Sequence, residues 1–166
     1  MDRPTASKEP FRIAMRRLAG TACIVTAAEQ DEWHGITATS VVSVSMDPPS
    51  LLACVNRSSS LFLPLCNSRR FCVNILGAEH EAHCVAFGSP SGREQRFQEG
   101  QWGLLHDLPY FSEAQACVFC SVAESVTHGT HVIFIGNVLD VLMPAELSQP
   151  LIYHNGRPWR HLGGIV

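Results

Sequence analysis

The amino-acid sequence predicts a mainly β protein with a few peripheral helices. Two long runs rich in β-branched and aromatic residues, at 116–126 and 130–142, are separated only by residues 127–129, a pattern typical of a long hairpin. Shorter runs of the same kind recur between turns rich in Gly, Pro and Ser, whereas stretches with helical periodicity are brief. With 166 residues the chain has the length of one domain, which we assign to 11–166 after a flexible tail at 1–10.

The first elements follow from local signals. Pro10 suits the first position of a helix, and the apolar residues at 11, 14, 15 and 18 share one face, which predicts a helix over 10–18. Residues 23–28 are almost entirely apolar and residues 29–32 are polar, which predicts a buried strand and a turn. A return strand is then expected from Trp33 onward.

The remaining elements are predicted in the same way. Asp47-Pro48-Pro49 interrupts the sheet because two prolines remove two backbone donors. Asn155-Gly156 favours a tight turn that reverses the chain into 157–162. The other predicted elements are, in order, a strand over 50–55, a loop over 56–60, a helix over 61–66, a strand over 70–76, a helix over 79–87, the hairpin over 116–142 and a short strand over 150–153.

Composition and charge exclude several classes of function. The chain is 46% hydrophobic and 16% charged with a formal net charge of −3, which fits a globular core and gives no basic field for nucleic acid. No apolar run of about 18 residues occurs and the N-terminus lacks an apolar signal region, which predicts a cytoplasmic protein without a membrane span. In that compartment the seven cysteines are predicted to be reduced thiols without a structural disulfide.

The densest run of small hydroxyl side chains lies between His34 and Pro49. Five hydroxyls occur there within nine residues, at Thr37, Thr39, Ser40, Ser43 and Ser45. Because hydroxyls donate and accept, and because no bulky side chain intervenes, a flat heterocycle with carbonyls and ring nitrogens fits against this segment. An ordinary pair of strands rich in Thr, Ser and Val is an equal alternative on this segment alone, since these residues also favour sheets.

A serine-rich loop precedes the predicted helix over 61–66. Ser58, Ser59 and Ser60 would place hydroxyls, free amides and the positive end of the helix dipole where a phosphate could bind. N-capping by a serine explains the same pattern without a ligand and is favoured on these residues alone. The Arg96 guanidinium suits binding of a phosphate, and the neighbouring Phe97 ring suits covering a flat ligand. The alternative is a surface arginine next to a core phenylalanine.

Other constellations do not support metal or hydrolase chemistry. Cys117 and Cys120 form a C-x-x-C, but residues three apart on a strand point to opposite faces, so the two sulfurs would not meet one metal ion. His80 and His83 share a helix face without a third ligand, and we interpret them as solvated. The chain has no G-x-S-x-G and no G-x-G-x-x-G, so neither a serine hydrolase nor a Rossmann domain is indicated.

Several segments in a fixed order resemble one known family. They are G-I-T-A-T-S at 35–40, S-V-S-M-D-P-P at 43–49, L-L-A-C-V-N-R-S-S-S at 51–60, Arg96-Phe97, G-T-H at 129–131, I-G-N-V at 135–138 and P-L-I-Y at 150–153. This set resembles the short-chain flavin reductases, which are the reductase components of two-component flavin-dependent monooxygenases. The resemblance implies an antiparallel FMN-binding split β-barrel and a homodimer.

The resemblance also implies an activity. It indicates an NAD(P)H:flavin oxidoreductase that reduces FMN or FAD by hydride transfer and supplies free reduced flavin to a separate monooxygenase. Hydride transfer needs placement rather than a protein nucleophile, so no catalytic side chain is assigned. The chain lacks an Arg-rich cluster for a 2′-phosphate, which favours NADH over NADPH. The alternatives are a carrier of flavin, or of a tetrapyrrole- or corrin-like ligand, without free flavin turnover, and an inactive scaffold subunit.

Ligand-binding residues are assigned by the same resemblance. Those expected at the flavin are Thr37, Ala38, Thr39 and Ser40 beside the isoalloxazine, Ala53, Cys54 and Val55 along the ring or ribityl chain, Asn56, Ser59, Ser60 and Arg96 at the phosphate, and Phe97 as a wall. His131 and Tyr153 are expected at the nicotinamide. Thr39 stands where many members of the family carry Ser or Asn, and Val41 where many carry Phe. The smaller Val41 would leave room beside the flavin and loosen the selectivity between FMN and FAD.

Overall fold

The computed structural model describes residues 7–146 and 148–160 and has the antiparallel, mainly β architecture that was predicted. The strands of this part are β1 Gly20–Thr21, β2 Cys23–Glu29, β3 Glu32–Ala38, β4 Val41–Met46, β5 Pro49–Asn56, β6 Arg70–Ile75, β7 Trp102–Leu105, β8 Leu108–Phe111, β9 Ala116–His128, β10 His131–Leu142, β11 Ile152–His154 and β12 Arg157–Trp159. The α-helices are α1 Lys8–Met15, α2 Phe62–Ser68 and α3 Glu81–Gly88, and 3-10 turns cover Ala78–His80 and Pro90–Gly92. None of the described helices is long and apolar enough to cross a membrane.

Seven strands form one antiparallel sheet in the order β3-β2-β6-β9-β10-β5-β4. The predicted long hairpin, β9 and β10, lies near its middle, with His128 opposite His131 at the turn. Two smaller units accompany this sheet, the three-stranded β1-β11-β12 and the hairpin β7-β8. Because β3 and β4 occupy opposite edges of the sheet but are joined only by Thr39 and Ser40, the sheet must curl until its two edges lie close together. The candidate site lies around this junction of the two edges.

Apolar side chains pack into two clusters, one on each face of the sheet. Successive residues of a strand point to opposite faces, so Val25 belongs to one cluster and Ile24 to the other. Leu61 and Leu65, at and within α2, are fully buried in the first cluster, and Phe87 of α3 is buried in the second. Burying a side chain of this size stabilises the fold by about 1.5–3 kcal/mol. Contact with the sheet therefore holds these short helices in place.

The first helix begins and ends earlier than predicted. It covers Lys8–Met15 rather than 10–18, because the backbone after Met15 changes to i→i+3 hydrogen bonds. Arg17 N donates to Ala14 O at 3.1 Å, and Leu18 N donates to Met15 O at 3.2 Å. No residue of α1 is buried, so tertiary packing does not extend the helix. Residues 1–6 of the predicted tail lie outside the described residues.

The hairpin β7-β8 and the strand β1 were not predicted from the sequence. The β7-β8 turn consists of His106 and Asp107, both in the left-handed region with φ of 53° and 60°. The strongest signals for such turns are pairs that contain Gly, and this pair has none, so the turn was not recognised. β1 has only two residues, which is too short for a periodic pattern.

The C-terminal strand lies slightly later than predicted. It covers Ile152–His154 instead of 150–153, because Pro150 makes only an isolated bridge to Gly77. The predicted turn at Asn155-Gly156 is confirmed, with φ of 51° and 78°. The segment that follows this turn forms β12 over Arg157–Trp159, and its residues 161–162 lie outside the described residues.

Cys117, Cys120 and His80, which the sequence analysis considered as metal ligands, are buried in the protein. All seven cysteines are free, and Cys117 and Cys120 belong to opposite core clusters, as expected for their spacing on a strand. The interpretation of His80 as solvated is wrong, because it is only 6% exposed and its Nδ1 accepts a hydrogen bond from Gly77 N at 3.0 Å. Burial lowers the pKa of His80, which favours the neutral ring that can accept this bond.

Candidate functional site

Three neighbouring clefts follow β3 from its C-terminal end to its N-terminal end. The first, here called the α1 cleft, has a volume of about 1110 Å³ and is lined by residues that include Met15, Thr39, Ser40, Cys54, His131 and Tyr153. The second, the α3 cleft, has a volume of about 420 Å³ and is lined by residues that include Thr37, Thr39, Cys84, Gly88, Tyr153 and Arg157. The third, the Arg93 cleft, has a volume of about 380 Å³ and is lined by Glu32, Trp33, His34, Gly35, Ser60, Arg93, Arg96 and Phe97.

The α1 cleft brings together residues that the sequence assigned to both ligands. Its flavin candidates are Thr39, Ser40 and Cys54, and its nicotinamide candidates are His131 and Tyr153. Backbone pairing explains the first group, because Cys54 N donates to Ser40 O at 3.2 Å. The pairing of β5 with β10 adds His131, which lies one strand away and next to the end of β5.

Three other flavin candidates point into the protein. Ala53 and Val55 are fully buried and Ala38 is 8% exposed, and all three pack in the core cluster that also contains Leu65. Ala53 and Val55 flank Cys54 on β5, so strand alternation turns their side chains away from the face that Cys54 presents. The side chains of Ala53 and Val55 therefore do not line a cleft, and a ligand can contact these two residues and Ala38 only through the backbone.

Thr37 ties β3 to α3. Its Oγ1 donates a hydrogen bond to the Cys84 carbonyl at 2.6 Å. The hydroxyl proton is thus used within the protein, and only the oxygen lone pairs are left for a ligand in the α3 cleft. Burial raises the pKa of the Cys84 thiol to about 11, so this residue is a neutral thiol behind Thr37.

The serine loop has one hydroxyl without a protein partner. Asn56 Oδ1 accepts from Ser58 N at 3.0 Å and from Ser58 Oγ at 2.9 Å, and Ser60 Oγ accepts from Arg96. Ser59 Oγ is buried and has no hydrogen-bond partner among the described residues. The residue at the helix N-cap is Leu61, without a side-chain cap, so serine capping does not explain this loop.

Arg96 is held by the protein at every donor. Nε donates to Ala86 O at 3.1 Å, Nη1 to Gly35 O at 3.0 Å and Ser60 Oγ at 3.3 Å, and Nη2 to Phe87 O at 3.2 Å and Ser89 O at 2.8 Å. A guanidinium has five N–H groups, and all five are used here. Direct binding of a phosphate, as predicted, would require one of these bonds to be exchanged. Arg96 instead joins β3, the serine loop and the end of α3.

Phe97 is fixed within an aromatic group and forms one wall of the Arg93 cleft. Its ring centroid lies 5.0 Å from that of Phe87, 4.7 Å from that of Trp102 and 5.6 Å from that of Trp33. Phe97 was predicted to form a wall of the flavin pocket, and in the structure it forms a wall of the Arg93 cleft instead. Trp33 and Arg93 were not predicted, since neither belongs to a recognisable motif.

The two nicotinamide candidates have different surroundings. His131 Nδ1 lies 2.9 Å from Thr130 Oγ1, which leaves its other ring nitrogen without an intramolecular partner among the described residues. Tyr153 donates its hydroxyl to Gly156 O at 3.0 Å, and its side chain borders both the α1 and α3 clefts. In residues 7–146 and 148–160 there is no group of three His, Cys, Asp or Glu side chains that could hold a metal ion.

The sequence did not indicate that α1 would border the site. Phe11, Arg12, Met15 and Arg16 line the α1 cleft, and Asn155 N donates to Arg16 O at 2.9 Å. The apolar face of α1 was recognised, but nothing in the sequence indicated what it would border. The contact between the end of α1 and the turn after β11 is long-range, so no local pattern predicts it.

Comparisons with known proteins agree with the resemblance seen in the sequence. Residues 15–159 match the family model described as "Flavin reductase like domain". The chain is 36% identical over 158 residues to the "FADH(2)-dependent resorcinol hydroxylase, reductase component" of Rhizobium sp. (strain MTP-10005), which covers 93% of this chain and 87% of that protein. It is 36% identical over 148 residues to "FMN reductase (NADH) RutF" of Agrobacterium fabrum (strain C58), with 89% and 84% covered.

The fold is also similar to that of solved flavin reductases. The Streptomyces globisporus C-1027 NADH:FAD oxidoreductase SgcE6, solved in complex with NAD and FAD fragments, matches with a TM-score of 0.86 and 25% sequence identity over 96% of each chain. The predicted split-barrel fold is thereby confirmed. Because the family model and the relatives both cover most of the sequence, the chain belongs to the flavin reductase-like domain family.

Proposed function

We propose that this protein is an NADH:flavin oxidoreductase that reduces FMN or FAD and releases the reduced flavin to a separate monooxygenase. The observation that carries the proposal is the α1 cleft, where residues expected at the flavin and at the nicotinamide border one space. Hydride transfer requires donor and acceptor rings in contact within one shielded site. Relatives named as an FMN reductase that uses NADH and as the reductase component of a hydroxylase support this activity and this kind of partner.

The residues present fit a flavin. Ser40 and Cys54 present small side chains at the α1 cleft, so a flat ring can approach the peptide groups closely. The buried hydroxyl of Ser59, which lacks a protein partner, suits a phosphate oxygen at the other end of the ligand. Bound flavin supplies a ring nitrogen that accepts the hydride.

The protein contributes placement rather than a reacting side chain. Ser40, whose carbonyl accepts a hydrogen bond from Cys54 N of β5, orients the edge of the flavin ring. Tyr153 borders both the α1 and α3 clefts and limits where the nicotinamide ring can lie. His131 offers a ring nitrogen to a carboxamide. α1 shields the cleft from water on one side, which strengthens these polar contacts.

We further propose a homodimer formed through β4. Val42, Val44 and Met46 on this edge strand are 56%, 49% and 85% exposed, and Leu139 and Val141 on β10 are also exposed. An exposed apolar edge strand is a liability in a monomer, and a second copy would remove it from water. Replacing Met46 with Lys is expected to shift the sedimentation velocity toward that of a monomer. The free cysteines fit a reducing compartment such as the cytoplasm.

The activity is tested by anaerobic NADH oxidation with excess FMN, FAD or no added flavin. A reductase consumes NADH in proportion to the added flavin over many turnovers. A protein that is yellow as purified, is bleached by one equivalent of NADH and leaves the added flavin oxidised would be a bound-flavin carrier, and the proposal would fall. Riboflavin in place of FMN shows whether the phosphate end is needed.

A further inference from the structure

We propose that α1 is a lid that closes the α1 cleft when both substrates are bound, with Phe11 and Met15 packing on the outer ring of the stacked flavin and nicotinamide. The inference rests on the proposed function for the identity of the two rings. It assigns substrate contacts to a helix that carries none of the motifs named above. The family model begins at Met15, so α1 lies almost wholly before the matched region.

As it lies in the structure, α1 is poorly packed. None of its eight residues is buried, and the apolar side chains of Phe11 and Met15 are 61% and 45% exposed. Helices shorter than about 12–15 residues are marginal in water and depend on packing of an apolar face. Closing over a bound ring would remove this apolar surface from water and so stabilise the helix.

The apolar pair faces the site. Phe11 and Met15 are four residues apart, which places them on the same side of the helix, and both line the α1 cleft. Ser40 and Cys54, the proposed support of the flavin ring, line the same cleft. Phenylalanine and methionine both make favourable contacts with flat aromatic rings. A ring stacked on the flavin would therefore lie between the flavin and α1.

The size of the cleft leaves room for this movement. Its volume of about 1110 Å³ lies above the range of roughly 300–1,000 Å³ that is usual for small-molecule sites. The space that the two rings do not fill can be closed by inward movement of α1. Closure would exclude water from the rings during hydride transfer, as lids do in other enzymes.

The segment after α1 can act as the pivot. Among the hydrogen bonds of the described residues, a single one joins 8–18 to another part of the chain, from Asn155 N to Arg16 O at 2.9 Å. The chain is next held at Gly20, which pairs with Tyr153 in the small sheet. Residues 16–19 therefore link a loosely held helix to a fixed strand, and hinges are usually a few residues at such an element end.

The pivot and the nicotinamide candidate Tyr153 share one support. The Tyr153 hydroxyl donates to Gly156 O at 3.0 Å, and the Arg16 guanidinium lies beside Gly156, about 3.6 Å from where a Cβ would stand. Gly156 has a φ of 78°, and the preceding Asn155 holds the Arg16 carbonyl. A ligand that orders Tyr153 would thus order the base of the lid as well. This coupling favours closure when the second ring is present.

The first test is hydrogen exchange of peptides that cover 8–18 in the wild-type protein. The protein is measured alone, with FMN, and with FMN plus NAD⁺, which cannot donate a hydride. Addition of NAD⁺ to the FMN complex is expected to slow amide exchange in α1 about tenfold, because exchange reports local opening. FMN alone is expected to have a smaller effect, since its ring lies on the far side of the cleft from α1.

The second test is calorimetric binding of NAD⁺ to the FMN-saturated protein. Phe11→Ala and Met15→Ala are each expected to raise the Kd of NAD⁺ about five- to tenfold, the effect of losing one contact with an aromatic ring. The Kd of FMN should stay at the wild-type value, and Phe11→Tyr should retain most of the NAD⁺ affinity. Ile13→Ala is the matched control, because Ile13 is 47% exposed on the same helix and does not line the α1 cleft.

Three results would overturn the lid. The first is α1 exchange that NAD⁺ does not slow, and the second is a Phe11→Ala variant that binds NAD⁺ as Ile13→Ala does. The third is slow α1 exchange in the protein alone that quickens on dilution, since a second copy would then cover the helix. Normal FMN reduction with any of these results removes the lid alone. If the wild-type protein neither binds nor reduces FMN, the proposed function fails and the lid fails with it.

Discussion

Arg96 Nη1 donates a hydrogen bond to the carbonyl of Gly35 at 3.0 Å, which joins the segment after α3 to the middle of β3. The same guanidinium also reaches Ser60 and three carbonyls around the end of α3. This side chain was expected to bind phosphate, and in the structure it joins β3, the serine loop and the end of α3 around the proposed phosphate position.

Arg96→Lys should lower the free energy of unfolding by about 1.5–3 kcal/mol or more, the range for losing a hydrogen bond to a charged group. An ammonium is a compact donor on a flexible stem and cannot reproduce the five-point arrangement. Urea unfolding measures the change, with the exposed Arg57→Lys as control. If stability is unchanged while FMN affinity drops, Arg96 acts on the ligand and not on the fold.

Ser59→Ala should weaken FMN binding about tenfold, as expected for a charge-assisted hydrogen bond. Riboflavin has no phosphate, so its affinity should stay at the wild-type level. Because Ser59 Oγ is buried without a partner, its removal should leave the melting temperature equal or slightly higher. Equal losses for FMN and riboflavin would place the phosphate elsewhere.

Ser40→Ala should weaken flavin binding about five- to tenfold with little change in stability. Its intramolecular hydrogen bond to Cys54 O is long, at 3.4 Å, and exposed, so the folded protein gains little from it. Fluorescence titration with FMN and thermal unfolding measure the two effects together. Wild-type affinity with a wild-type melting curve would remove Ser40 from the site. A bulky residue at Ala38 is a poor probe, because that side chain is packed in the core.

Asp140 and His106 should make stability depend on pH in the acid range. Their side chains lie 3.0 Å apart, and hydrogen bonds from His106 and from Val141 N lower the pKa of Asp140. A carboxyl with a lowered folded-state pKa stabilises the protein above its unfolded value of about 3.9, and this is lost as pH falls through the folded pKa. The melting temperature of Asp140→Asn should therefore lie below wild type near neutral pH and converge with it in acid. A difference that does not depend on pH would contradict this.

Much of the fold could be predicted because its signals are local. The hairpin of β9 and β10 follows from two long β-rich runs, and the turn at Asn155-Gly156 from a favoured residue pair. The β7-β8 hairpin was missed because its two strands have only four residues each and its turn, His106-Asp107, contains no glycine.

The site was only partly predictable for a related reason. The contiguous segments at the end of β3 and on β5 were found, but the direction of each side chain depends on the phase of the strand. Ala53 and Val55 enter the core and Cys54 faces the cleft. Arg93 and α1 reach the site through long-range packing, which no local pattern encodes.

A crystal structure with oxidised FMN tests the proposed flavin site most directly. We expect the isoalloxazine in the α1 cleft against Ser40 and Cys54, with the phosphate within hydrogen-bonding distance of Ser59 Oγ. Arg96 should keep its contacts with Gly35 and Ser89. FMN bound outside the α1 and α3 clefts, or with its phosphate away from the serine loop, would contradict the assignment of this site.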